Sequence, residues 1–458
     1  MSQTGKVISQ EKSTTEDGKL VRTLKPIHLW ALAVGLVISG NYFGWSYGFG
    51  AGGPIGLAIA TIPVVIFYAT FIFCYSELAT MIPHAGGPSA YARRALGPFW
   101  GYLNGISCLV EFVFAPPAIA LAVGGYINYM IPAIPALPAA VAAFLIFIFI
   151  NFLGMKTSAI FELIVTIIAL VGLVIFWVAA FPHFNWDMVV QAPILPQGYE
   201  GIMAAVPFAI WFYLAIEGGA MAAEEMVDPR KDIPKGFLSG MLTLVIMMLL
   251  TLFLTAGIAD YNLVSAVDFP LPIALANVFG DKSFIVLLVN FIGLFGLIAS
   301  LHGIVVGYSR QTYAMARSGY LPKFLASVNS KYHTPHWALL VPGLVGIAAV
   351  LTGLTAVVIT VAVFGAVALY LISLVSFFVL RKNEPDLKRP FKVANGNLVG
   401  AISMITGLFC LYSVVVYNVT AIKWVAVIYA IALVWYAIAG RKNLRPFEEE
   451  FGILDELD

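Results

Sequence analysis

Val37-Ile38-Ser39-Gly40-Asn41-Tyr42-Phe43-Gly44 lies near the middle of an apolar run over residues 27–48, and Leu214-Ala215-Ile216-Glu217-Gly218-Gly219 lies in another over residues 201–225. A helix facing lipid avoids such stretches. Gly permits non-helical backbone, and unwound backbone at membrane depth persists only where protein or a water-filled cavity satisfies its polar groups. The glycines alone fit close helix packing equally well. Glu217 beside Gly218 and Gly219 tips the reading to a functional break, because ionisable residues within spans are expensive. Two interruptions five spans apart are the sequence mark of transporters built from inverted repeats.

Outward from these breaks the chain is mostly membrane. It has 458 residues, 61% hydrophobic and 11% charged, with mean hydropathy +0.93. Soluble domains carry about 25% charged residues, so a soluble enzyme is excluded. A span uses about 20 apolar residues. Such windows fall near 27–48, 55–82, 98–129, 134–154, 157–181, 201–225, 236–259, 284–308, 337–354, 357–380, 398–419 and 421–440, which predicts twelve membrane helices. The runs are continuous rather than alternating, which excludes a β-barrel. Cys74, Cys108 and Cys410 each sit in apolar sequence and predict no disulfide. The first 26 residues are polar, without the apolar core of a cleaved signal peptide.

Orientation follows from the basic residues. With a cytoplasmic N-terminus and twelve spans, only Lys282 and Lys423 of the 25 Lys and Arg face outside. The positive-inside rule then places both termini in the cytoplasm. The acidic stretch from Glu448 to Asp458 reads as a solvated flank.

Several motifs carry a family resemblance. They are Ile38 to Phe43 in the first span; Glu77-Leu78 through Pro83, Gly86-Gly87-Pro88 and Tyr91 to Gly97 after the second; and Glu224-Glu225 with Asp228 to Pro234 after the sixth. Ser309-Arg310 with Ala314 to Arg317, and Pro385-Asp386 with Arg389 to Val393, complete the set. The sequence resembles the amino acid/polyamine/organocation transporter superfamily over essentially its whole length, and Ser39 to Trp45 most resembles the ethanolamine permease branch. The resemblance implies an all-α integral membrane fold of two inverted five-helix repeats, helices 1 and 6 broken, plus two peripheral helices. Its expected divisions are a cytoplasmic tail (1–26), the first repeat (27–182), an extracellular loop (183–200), the second repeat (201–382), helices 11 and 12 with their preceding loop (383–440), and a cytoplasmic tail (441–458). The chain also departs from the family pattern. Ile38 replaces a Gly and Asn41 an aliphatic residue at the first break, a change suited to a hydroxyl better than to a carboxylate. The Lys that some relatives carry in span five is absent, since 163–182 contains no ionisable residue.

The ionisable residues within or at the ends of spans decide the expected charge of the ligand. Glu77, Glu111, Glu162 and Glu217 are acidic, and no Lys or Arg lies at mid-depth. Such a cavity favours a cation by Coulomb attraction in a poorly screened site. Glu77 reads as a structural ion pair with Arg93 or Arg94, and Glu162 as interfacial beside Lys156. Glu111, far from both interfaces, and Glu217, at the sixth-helix break, read as functional. Aromatic faces bind ammonium groups, and Trp211 stands where related exchangers carry a substrate-capping Trp.

The expected substrate site is therefore Ser39, Gly40, Asn41, Tyr42, Phe43, Glu111, Trp211, Tyr213, Ala215 and Glu217, with Glu111, Glu217 and His302 as proton-coupling candidates. No catalytic residue, metal or cofactor is expected. The expected function is import of a small primary amine, ethanolamine by resemblance, with a co-transported proton. An amino acid or polyamine exchanger of the same fold is the alternative. A channel, a membrane sensor and an enzyme are disfavoured, and no nucleic-acid partner is indicated.

Overall fold

The computed structural model describes residues 24–84, 86–154, 159–332 and 334–447, with the backbone alone for 159–161 and 222–225. Lys156 and the two tail segments at 1–23 and 448–458 lie outside the described residues. The described residues form helices joined by turns and loops: α1 Pro26–Val37, α2 Ser39–Tyr42, α3 Ser46–Met81, α4 Pro88–Leu96, α5 Pro98–Met130, α6 Ala136–Phe152, α7 Ala159–Ala180 and α8 Trp186–Val189. Then come α9 Gly198–Trp211, a 3₁₀ stretch Ile216–Glu225, α10 Pro229–Ile258, α11 Tyr261–Val264, α12 Pro270–Phe279, α13 Phe284–Arg317, α14 His336–Leu351, α15 Thr355–Asn383, α16 Gly396–Tyr417 and α17 Val419–Trp435. Among the described residues the β pairing is one isolated bridge, Leu24 with Met226.

Among the described residues, nine helical segments are long and apolar enough to cross a membrane. The remaining three expected spans are the shorter apolar helices α1, α6 and α14. A fourth short apolar helix, α12, stands in what the sequence offers as a plain connection between spans seven and eight. The large apolar side chains that remain exposed, among them Phe149, Val178, Leu242, Phe284 and Ile405, are those of a protein whose solvent is lipid.

The first expected boundary moves. The upper half of broken helix 1 and the second span run on as one helix, α3, kinked at Gly53 (φ 70°, ψ 176°) and followed by Pro54. Gly allows that turn and Pro removes a ladder donor, so helical hydrogen bonding resumes on a new axis. Burial ranks the helices. The apolar windows of α5, of the α9 span and of α15 are 83, 89 and 78% buried, against 33% for α16 and 17% for α17. The first three form the centre, and the last two lie at the edge.

Candidate functional site

The two breaks meet. Beyond Val37 the chain leaves α1, makes the single turn α2, and becomes extended at Phe43 (φ −160°, ψ 175°) before α3 begins. Ser300 on α13 spans the opening, its hydroxyl accepting the Ser39 N–H (3.1 Å) and donating to the Gly35 carbonyl (2.7 Å). Gly40 presses on the end of α9, where a Cβ would stand 2.4 Å from the Trp211 carbonyl oxygen. Only Gly permits that approach. Gly44 (φ 90°) lies against the indole of Trp211 in the same way, and Phe43 meets that indole edge to face at 5.4 Å. On the residues of the two breaks, both amide atoms of Asn41, the Trp211 Nε1 and the Tyr213 hydroxyl are buried without a hydrogen-bond partner. Buried polar atoms are ordinarily paired, so these atoms make the meeting of the breaks a candidate ligand site.

On the other break, α9 ends at Trp211 and the backbone turns at Ala215 with φ 73°. A non-glycine residue held there stores roughly 1–3 kcal/mol of strain. The turn aims the Ala215 N–H at Glu111 Oε1 on α5, 2.9 Å away. Glu217 follows two residues later. Its Oε2 accepts from the Tyr370 hydroxyl of α15 at 2.5 Å, and the same hydroxyl lies 3.4 Å from Glu111 Oε1. Glu111 Oε2 and Glu217 Oε1 are buried without a hydrogen-bond partner. Glu111 and Glu217, expected separately at this site, thus form one assembly with a residue the sequence did not mark. Tyr370 is a tyrosine inside an apolar span, with no charge or glycine break to single it out.

Other expected residues stand elsewhere. Tyr42 turns away from α9: its hydroxyl donates to the Ala169 carbonyl of α7 at 2.5 Å, and its ring packs on Gly293 and Gly296 of α13. Its own carbonyl accepts from Tyr126 at 2.9 Å. His302 belongs to a separate contact with Asn151 (3.2 Å) and Phe147 of α6, and is not brought to the carboxyl pair. Glu77 is an ion-paired carboxylate, but its partners differ from those expected. Arg381 binds it with two nitrogens (2.8 and 2.5 Å), Arg389 lies 3.3 Å away, and the Val393 N–H donates at 2.7 Å. Arg94 instead pairs with Glu384 at 2.9 Å. Sequence proximity favoured Arg93 and Arg94, whereas the end of α3 packs on the end of α15. Glu162 is buried, one oxygen lacking a partner, against the backbone of Gly35.

A second polar cluster closes the end of the bundle where α3 starts. Asp268, before α12, accepts from Tyr47 on α3 (2.8 Å) and from Thr355 at the start of α15 (3.2 Å). Ser46 donates to the neighbouring Val267 carbonyl at 2.8 Å. Burial holds the Asp268 carboxyl above the usual aspartate range, against the opposing pull of the two donated hydrogen bonds. Among the described residues no group of three or more His, Cys, Asp or Glu is placed to hold a metal ion.

A family model described as amino acid permease matches residues 24–438, nearly the whole described chain. The chain belongs to that family. This permease is 30% identical to an uncharacterized transporter of Rhizobium meliloti over 70% of each chain. It is 25% identical to the methylthioribose transporter of Bacillus subtilis, over 93% of this chain and 94% of that one. The branched-chain amino acid permease BcaP of the same organism is also 25% identical, over 94% and 96%. The permease is accordingly a multi-pass membrane transporter of amino-acid-like solutes and not an enzyme.

Proposed function

We propose that this permease imports a small primary amine, ethanolamine in the first instance, by alternating access coupled to protons. The observation that carries the reading is the carboxyl pair Glu111–Glu217 at the junction of two broken helices, with Asn41, Trp211 and Tyr213 offering unpartnered polar atoms around the same junction. A ligand ammonium answers the negative charge and the free carbonyl ends of broken helices, and the Phe43 and Trp211 rings supply cation–π faces worth about 0.5–2 kcal/mol when desolvated. The Asn41 amide, donor and acceptor both, suits a hydroxyl. In this reading the permease lies in the cell's inner membrane with both termini cytoplasmic, and its two repeats divide at the loop 183–200.

A second reading, transport of an amino acid, draws on the branched-chain amino acid permease that aligns over 94% of this chain. Uptake into proteoliposomes separates the two. Labelled ethanolamine, challenged with alanine, arginine, putrescine and choline under separate pH and sodium gradients, should enter with a pH gradient and be displaced poorly by alanine. Equal or better transport of alanine would favour the second reading.

A further inference from the structure

We infer that the pocket where α15 hands over to α16 binds the phosphate group of an anionic phospholipid, with an acyl chain of that lipid lying along α16. The site does not depend on which solute is carried.

The segment from Arg381 to Lys392 holds five basic residues against two acidic ones, Glu384 and Asp386. Glu384 is already paired with Arg94, and the buried Glu77 faces both Arg381 and Arg389. One carboxylate between two guanidiniums leaves a positive charge uncompensated. Lys392, exposed at the pocket, adds a second cation and has no acidic partner among the described residues.

The pocket itself is open, about 620 Å³ in volume, and lined by Arg381, Lys392 and the stretch from Val393 to Leu398. Arg381 is held firmly in its wall. The guanidinium carbon stands 4.5 Å from the centre of the Phe377 ring, and a Cβ on Gly396 would run into the guanidinium. Its Nε and Nη2 are spent on Glu77 and the Val393 carbonyl. Nη1 makes no hydrogen bond among the described residues and is left for the pocket. Asn395 closes the loop in the left-handed conformation (φ 49°, ψ 38°), and no side chain caps α16. The Asn395 carbonyl takes the Leu398 and Val399 N–H groups, so the first donors of the helix, those of Gly396 and Asn397 in the pocket wall, are unspent. A guanidinium nitrogen, an ammonium and helix-start N–H groups are the donors that phosphate oxygens take.

An apolar row adjoins this donor set and decides the source of the phosphate. Leu398, itself in the wall, begins an exposed series on α16 that continues through Ile402, Ile405 and Leu408. Steps of four, three and three residues keep the row on one helix face. From Leu398 to Leu408 the helix rises about 15 Å, half of a ~30 Å hydrocarbon core and so the depth of one leaflet. A free phosphate gains nothing from that row, whereas a phosphodiester carrying acyl chains uses both pocket and row. In the proposed orientation the leaflet is the inner one, where basic pockets between helices meet anionic headgroups. Because the guanidinium that faces the pocket also grips Glu77, an occupied pocket fastens the ends of α3, α15 and α16 together.

Delipidated permease in neutral detergent tests this without substrate or sidedness. Dioleoyl phosphatidylglycerol should raise the melting temperature and stay bound in native mass spectrometry, while dioleoyl phosphatidylcholine and inorganic phosphate at the same concentration should do neither. Lys392→Glu should keep the lipid-free melting temperature and weaken phosphatidylglycerol binding about tenfold or more. The matched reversal Lys442→Glu, at an exposed lysine outside the pocket, should leave binding unchanged. Equal stabilisation by inorganic phosphate would assign the pocket to a free anion, and equal stabilisation by phosphatidylcholine would remove the reading of charge. Equal losses in the two lysine variants would reduce the effect to diffuse surface charge. Any of these, or failure of the wild type to retain phosphatidylglycerol, would overturn the lipid site.

Discussion

Gly40→Ala is the smallest perturbation aimed at the meeting of the two breaks. The added Cβ would lie 2.4 Å from the Trp211 carbonyl oxygen, 3.2 Å from its carbon and 3.3 Å from the Phe212 Cα, against an ordinary contact limit of 3.4 Å. All three neighbours are backbone, so no side chain can rotate aside and the broken helices must part. Overpacking of this kind costs about 1–3 kcal/mol, offset by up to about 1 kcal/mol from replacing Gly in a helical turn. A net penalty of about 1–2 kcal/mol lowers the fraction of carriers reaching the closed arrangement roughly 5- to 30-fold. Gly50→Ala is the matched control, since a Cβ there meets only Ser265 Cβ at 3.8 Å. Initial rates of ethanolamine uptake, at equal reconstituted protein and with melting temperatures recorded, should fall in Gly40→Ala and hold in Gly50→Ala. Wild-type rates in Gly40→Ala, or equal damage in both, would refute the close-approach argument.

Four further outcomes follow from other features. In a cysteine-free background, Gln191→Cys should label from outside and Lys231→Cys from inside; labelling of both from outside would invert the orientation. Ile38→Gly with Asn41→Ile should reduce ethanolamine uptake in favour of a small neutral amino acid, an expectation that fails if the wild type already carries alanine as well as ethanolamine. Glu77→Gln leaves Arg381 and Arg389 without their carboxylate and should lower stability by about 3–5 kcal/mol, read as melting temperature in detergent; an unchanged midpoint would show the ion pair to be dispensable. Because burial raises the Asp268 carboxyl, its proton favours the folded clasp: the contribution is fully present below the ordinary aspartate range and is lost as pH rises through the raised value. Asp268→Asn should flatten that part of the stability-against-pH curve, and an identical curve would remove Asp268 from the account.

What could be read from sequence divides along local and distant chemistry. The breaks were legible because Gly, Asn and Glu within an apolar run violate a local rule, and both fall at Ile38–Gly44 and Ala215–Gly219 as their residues require. The inward placing of Glu111 was legible from the depth at which a charge sits, and its side chain is buried against the second break. Tyr370 was not, since its value lies in partners 153 and 259 residues away. Glu77 shows the same limit: its need for a cation is local information, while the choice of Arg381 over Arg93 is set by how α3 packs on α15. Tyr42 was assigned to the ligand by its neighbours in sequence, yet a helical turn fans successive side chains out by about 100° each, and its ring goes to the glycines of α13. The kink at Gly53 escaped because a span boundary and a bend within a helix look alike as a Gly-Gly-Pro sequence.

The Glu77 cluster bears on how the protein is made. Its carboxylate leaves the ribosome 304 residues before Arg381, which at about 5–20 residues per second is roughly 15 to 60 s of synthesis. Through that interval the nascent first half must keep an unneutralised carboxylate at the end of α3. Arrival of α15 and of the segment carrying Arg389 and Val393 then neutralises it from both sides at once and ties the start of α16 to the interior. The salt bridge therefore joins the first half of the chain to the second only after Arg381 has been made, so a chain that stops before Arg381 lacks both of the cations that pair with Glu77 in the finished fold.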